Sequence, residues 1–115
     1  LGNDTLDGGL GNDFIIYNSP TEGIDTIDGF VVADDTINVL GSGFGGLSPG
    51  AITAAQFLSG SGDVPTDSFQ RFIYNTGTGA LFYDPDGTGS SPTVQLATLN
   101  GGPPPLIGAS DIVVI

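Results

Sequence analysis

Leu1-Gly2-Asn3-Asp4 returns nine residues later as Leu10-Gly11-Asn12-Asp13, with Gly8-Gly9 directly ahead of the second copy. Glycine at this density excludes a helix over residues 1–16, since each interior glycine costs a helix roughly 1 kcal/mol. It permits tight turns with positive φ. The stretch Gly8-Gly9-Leu10-Gly11-Asn12-Asp13-Phe14-Ile15-Ile16 fits the pattern G-G-x-G-x-D-x-U-x at every position, with Ile15 at the apolar place U. Eroded copies follow, Gly23-Ile24-Asp25-Thr26-Ile27-Asp28 after the insertion YNSPTE, then Asp34-Asp35-Thr36-Ile37-Asn38. In each copy an Asp stands two residues before an apolar one: Asp4/Leu6, Asp13/Ile15, Asp25/Ile27 and Asp35/Ile37.

That spacing predicts turn, short strand, turn, short strand. Stacked, the turns make a parallel β-roll with the row Leu6, Ile15 and Ile27 inside and one carboxylate at each turn's exit. With two turns per coil, turns on one side lie eighteen residues apart. Asp4 then faces Asp25 if three inserted residues loop out, and Asp13 faces Asp34 or Asp35.

Charge narrows the chemistry. Thirteen acids stand against a single base, Arg71, for a formal charge of −12 on 115 residues. No basic patch exists to meet phosphates, which argues against nucleic acid and anionic membranes. A bulk cation is the natural partner. Twelve of the acids are Asp and eight of the thirteen fall within residues 1–38, a placement more selective than a solubilising surface. With no His, Cys or Lys there is no familiar triad, thiol nucleophile or Schiff base, and zinc lacks its preferred ligands. A carboxylate pair for glycoside hydrolysis is outweighed by the repeat pattern in which the Asp residues sit, so the chain reads as noncatalytic. Without cysteine, disulfides cannot staple it, and no apolar run is long enough to span a membrane.

Calcium takes six to eight oxygens and accepts carboxylates mixed with backbone carbonyls. Glycine turns expose carbonyls and each Asp adds charge, so the candidate ligand set is Gly2, Asp4, Gly8, Gly9, Gly11, Asp13, Gly23, Asp25, Asp34 and Asp35. One to three ions are expected. In a single copy the Asp would merely terminate a turn; in-register repetition favours metal.

The rest of the chain is not repetitive. Residues 39–50 read as a loop, and Ser48-Pro49 predicts the start of a short helix through GAITAAQFL. The clearest hairpin joins residues 69–75 and 80–84 across TGTG, and TVQLATL (93–99) is a further strand. Asp84-Pro85-Asp86-Gly87 resembles the start of an EF-hand loop, but lacks its third acid and closing Glu and reads better as a turn. Asp111-Ile112-Val113-Val114-Ile115 predicts a final edge strand. Residues 1–38 thus form a repeat unit, and residues 39–115 a mostly antiparallel β cap. The fold class is mainly β, with at most one short helix.

The opening repeats resemble the hemolysin-type calcium-binding repeat of RTX proteins. IDTIDGFVVADDTINV (24–39) looks like the segment that follows the last repeats in serralysin-like C-terminal domains. Residues 71–99 are similar to the hairpin region of many bacterial RTX tails, and DIVVI to their last residues. The resemblance implies export by a type I secretion apparatus through an uncleaved C-terminal signal, here Asp111 to Ile115. It implies a chain unfolded in the low-calcium cytoplasm that folds outside, at the tail of a larger secreted or surface protein. Repeats are few here, and Glu22-Gly23 stands where a glycine pair belongs. Two further readings stay open: a structural module that self-assembles through β edges into a filament, adhesin or surface layer, and the tail of a secreted hydrolase.

Overall fold

The β-forming residues of this chain come in short runs bounded by Gly, Asn, Asp and Pro, and the strands are correspondingly short, two to seven residues each. A computed structural model of the chain describes residues 5–7 (backbone only), 11–20, 23–32, 34–60, 62, 65–87, 93–100, 105 and 107–115.

Strands β1 (Thr5–Asp7), β2 (Phe14–Tyr17), β3 (Asp25–Asp28) and β4 (Thr36–Val39) alternate between two sheets. β1 lies parallel to β3 in one sheet and β2 lies parallel to β4 in the other. The remaining strands are β5 (Gly50–Ala51), β6 (Phe57–Gly60), β7 (Phe72–Asn75), β8 (Ala80–Tyr83), β9 (Val94–Asn100) and β10 (Ile112–Val114). The larger sheet has the order β1-β3-β9-β8-β7-β6 and the smaller β2-β4-β10-β5. Both are mixed: β3/β9, β4/β10 and β6/β7 are parallel, while β7/β8, β8/β9 and β10/β5 are antiparallel. Each sheet therefore draws strands from both sides of residue 38.

Register follows the repeat. Thr5 pairs with Thr26 and Phe14 with Thr36, so successive strands of one sheet are spaced by eighteen residues plus a short insertion. The apolar U positions fall into ladders: Ile15, Ile37 and Ile112 in the smaller sheet, Ile27 and Leu99 in the larger. Ile27, Ile37, Leu99 and Ile112 are fully buried, and Ile15 packs against the same core. A slip of one residue would turn the U residues outward, so burial holds the register. The core also takes Phe44 from the loop after β4, whose ring meets Tyr83 edge-on at 4.9 Å and lies near Phe72 at 6.1 Å.

Two local expectations are corrected. The helix predicted through residues 50–58 is one 3-10 turn, Ala54–Gln56, between β5 and β6. Gln56 Oε1 accepts the N–H of Thr53, closing that turn before Phe57 enters a strand. The terminal strand is no edge: β10 lies between β4 and β5. Its Ile112 and Val114 pair with Ile37 and Val39 in parallel, and Val113 also pairs with Ala51.

A common device precedes three of these strands. Asp35 before β4, Gln56 before β6 and Asp111 before β10 each turn a side-chain oxygen back to a backbone N–H three or four residues earlier. The same side-chain-to-backbone bonding is why Asp and Asn favour turns.

Candidate functional site

The turns that feed β2 and β4 lie side by side because their strands are hydrogen-bonded neighbours. Asp13 and Asp35 are thereby brought together across twenty-two residues of chain. The Asp13 N–H donates to Asp35 Oδ1 at 3.1 Å, and the Thr36 N–H donates to the Asp13 carbonyl at 2.9 Å. Asp35 is 5% exposed, and its Oδ2 accepts the Val31 N–H at 2.8 Å. Both of its oxygens thus take backbone donors, Oδ2 closing its own turn and Oδ1 tying that turn to the one before β2.

Asp13 differs. Its Oδ2 is buried and makes no hydrogen bond within the described residues. Asp13 as a whole is half-buried, but an oxygen that has lost water without gaining a donor is costly. A second carboxylate stands next to it and no Lys or His exists in the chain, so no side-chain cation other than Arg71 is available to compensate it. Carboxylate oxygens are the donors a hard cation such as calcium takes, together with backbone carbonyls.

The other sequence candidates are spread out. Asp34 is exposed in the turn before Asp35. Asp25 opens β3 in the other sheet, buried, and its lateral neighbour on β9 is Ala97. Gly11 and Gly23 precede β2 and β3 with φ of 93° and 108°, the left-handed region in which a side chain would be strained. Gly2, Asp4, Gly8 and Gly9 lie outside the described residues, and so does any approach of Asp4 to Asp25. Among the described residues, no three acidic side chains gather as a ready metal cluster.

Asp84, in the EF-hand-like stretch, is committed elsewhere. Its Oδ1 accepts the Asp86 N–H and its Oδ2 the Thr93 hydroxyl, while Gly87 takes a φ of 66°. These bonds close a turn at Asp84 to Gly87. At the other end, Asp111 Oδ2 accepts the Gly108 N–H, Ile112 and Val114 are buried, Val113 is half-buried and Ile115 is exposed.

The strand expected at residues 93–99 has a partner the sequence reading did not foresee. β9 carries Ala97-Thr98-Leu99-Asn100, which sits in register on Asp25-Thr26-Ile27-Asp28. Asn100 Nδ2 donates to Asp28 Oδ1 at 2.9 Å. Thr, an apolar residue and a short polar one recur here with Ala in the acidic place, so the search for Asp spacing passed over it.

No helix among the described residues is long and apolar enough to cross a membrane. No family model, curated protein or solved structure matches the chain.

Proposed function

We propose that this chain is a noncatalytic calcium-binding module of the RTX type, in which β1 to β4 are the end of a parallel β-roll that folds when calcium binds. The observation that carries the proposal is the buried Asp13 Oδ2, without a hydrogen-bond donor, beside Asp35 on the neighbouring parallel strand. Asp13 and Asp35 would hold the ion, with carbonyls of the turn at Gly11; Asp4 and Asp25 would serve the equivalent turn of the other sheet. The ion supplies positive charge where the chain has none. Without it, repulsion within a molecule of net charge −12 opposes closure of the turns, and with it the ladders of Ile15, Ile27 and Ile37 close. Binding only the folded state at one hundred times Kd adds about 2.7 kcal/mol per site, enough to decide folding of a thin domain.

Secretion belongs to the same proposal. The segment Asp111 to Ile115 contributes an interior strand, so a transporter would reach Ile112 and Val114 only before the domain folds. Export unfolded through a type I apparatus and folding in calcium-rich surroundings satisfies that requirement, and the working location is extracellular or at the cell surface.

A second reading, assembly into a filament, adhesin or surface layer, is favoured by one specific feature. β2 is the edge of the smaller sheet and exposes Phe14 (67%) and Ile16 (56%). An apolar edge strand is a pairing surface unless covered. The test common to both readings is far-UV circular dichroism and sedimentation of the chain titrated with calcium from chelator, with magnesium as the control. A calcium-specific rise in β signal is expected. A monomer throughout supports the secretion module, and calcium-dependent oligomers support assembly. A β signal already complete in chelator and indifferent to calcium would overturn the proposal.

A further inference from the structure

Arg71 is the sole basic side chain among thirteen acids, and among the described residues it is spent on none of them. Among the described residues it forms no ion pair; one terminal nitrogen, NH1, donates to the carbonyls of Ser68 at 2.8 Å and Gln70 at 3.1 Å. Two described acids near it in sequence are engaged elsewhere. Asp67 Oδ1 accepts the Phe69 and Gln70 N–H groups, and Asp84 is held by Asp86 and Thr93. A guanidinium has five N–H donors. The two carbonyls leave the Nε edge and the second terminal nitrogen, the pair that meets a carboxylate bidentately.

That side chain lines a cleft of about 390 Å³ with Phe44, Phe69, Tyr83 and Gln56. The volume lies in the range of small-ligand sites, which are mostly apolar with a few converging polar groups. The polar groups here are donors. Gln56 already uses Oε1 to accept from Thr53, leaving its amide N–H₂, and the Tyr83 hydroxyl makes no hydrogen bond within the described residues. The apolar wall is aromatic: Phe44 and Tyr83 pack edge-on, and Phe69 stands 68% exposed at the rim. Burial pushes the Tyr83 phenol above its ordinary pKa, with Arg71 opposing and Asp84 adding to the shift, so the hydroxyl keeps its proton as a donor at neutral pH.

We propose that this cleft binds a small carboxylate carrying an aromatic or apolar group, the carboxylate on Arg71 and the apolar part against Phe69, Phe44 and Tyr83. The site stands at the end of the larger sheet away from β1 and β3: its residues come from β8, from the segments before β6 and β7 and after β8, and, through Phe44, Gly45 and Leu47, from the loop after β4, with none from the strands β1 to β4 themselves. The inference does not rest on the calcium proposal.

The test is an NMR titration of the full 115-residue chain, folded in calcium, with N-acetyl-L-phenylalanine and separately with its uncharged amide. The acid is expected to give saturable shifts at the Arg71 Nε–H, the Gln56 side-chain amide and Phe69, and to bind roughly tenfold or more tighter than the amide, as a charge-assisted pair requires. Arg71→Gln should remove that preference. Phe69→Ala, at an exposed position that leaves folding intact, should weaken acid and amide alike several-fold. Equal binding of acid and amide, an acid preference that survives in a folded Arg71→Gln chain, or no saturable shift in the cleft would each overturn the proposal.

Discussion

The β7–β8 hairpin and the β2–β4 pair have strands of the same length, yet they settle their polar groups differently. In the hairpin, Asn75 Oδ1 accepts the N–H groups of Gly77 and Thr78, its carbonyl accepts from Gly79, and Asp84 beyond β8 has both oxygens bonded. Every acceptor named is matched by a donor from its own turn or a neighbouring strand. Between β2 and β4, Asp35 is matched in the same way but Asp13 Oδ2 is buried with no donor. The hairpin completes itself with local chemistry, whereas the parallel pair leaves one buried carboxylate oxygen without a donor among the described residues. The difference locates where an added cation would act. It also explains how a local event would reach the whole molecule, since β9 joins the hairpin to β3 and β10 lies against β4.

That contrast can be broken at several strengths. The largest effect is expected from Ile37→Ala, which removes the middle of the Ile15–Ile37–Ile112 ladder at a fully buried site. A loss of about 2–5 kcal/mol in urea unfolding should appear in saturating calcium, as for other buried Ile→Ala changes. Next is Gly43→Ala. A Cβ there would stand 1.7 Å from the Asn18 carbonyl oxygen, so the loop after β4 must move off the segment following β2. Overpacking of this kind costs about 1–3 kcal/mol, and the loss should be the same with and without calcium.

Asp13→Asn sharpens the contrast, because it separates metal binding from turn closure. The backbone bonds of Asp13 to Asp35 and Thr36 remain while the unanswered charge goes. The calcium midpoint for folding should rise about tenfold, near 1.4 kcal/mol, and stability in chelator should hold or improve; an unchanged or lower midpoint would refute the role given to Asp13. The smallest effect is Asn100→Asp, which replaces the donor to Asp28 by a like charge on an exposed row. A loss of about 0.5 kcal/mol, relieved by salt, should be seen in urea melts at low and high ionic strength.

How much of this was legible in the chain follows from which signals are local. The Asp-x-U beat named Ile15, Ile27 and Ile37 as inward because strand period and glycine turns act over a few residues. The same beat set Asp13 opposite Asp34 or Asp35, since parallel neighbours inherit the repeat's spacing, and the fold decides for Asp35. The hairpin was equally readable, from β-formers flanking a glycine turn. What failed was long-range. Nothing near Asp111 says that Ile112 lies between β4 and β5, because those partners are about sixty to seventy-five residues away. Thr98-Leu99-Asn100 extended the repeat unseen because Ala97 replaced its acid. Residues 50–58 read as a helix through Ser48-Pro49, but Gln56 spends its side chain closing a turn and Phe57 pairs with Phe72. Arg71 was conspicuous by its charge alone; the aromatic walls around it come from loops and strands that only the fold assembles.

The most direct test of the central claim is hydrogen exchange of the backbone amides in β2 and β4, measured in calcium and in chelator, with β7 and β8 as the internal reference. Calcium is expected to slow exchange at Phe14 to Tyr17 and Thr36 to Val39 by a larger factor than at any amide of the hairpin. Protection in β2 and β4 that is already full in chelator, and unmoved by calcium, would contradict the account.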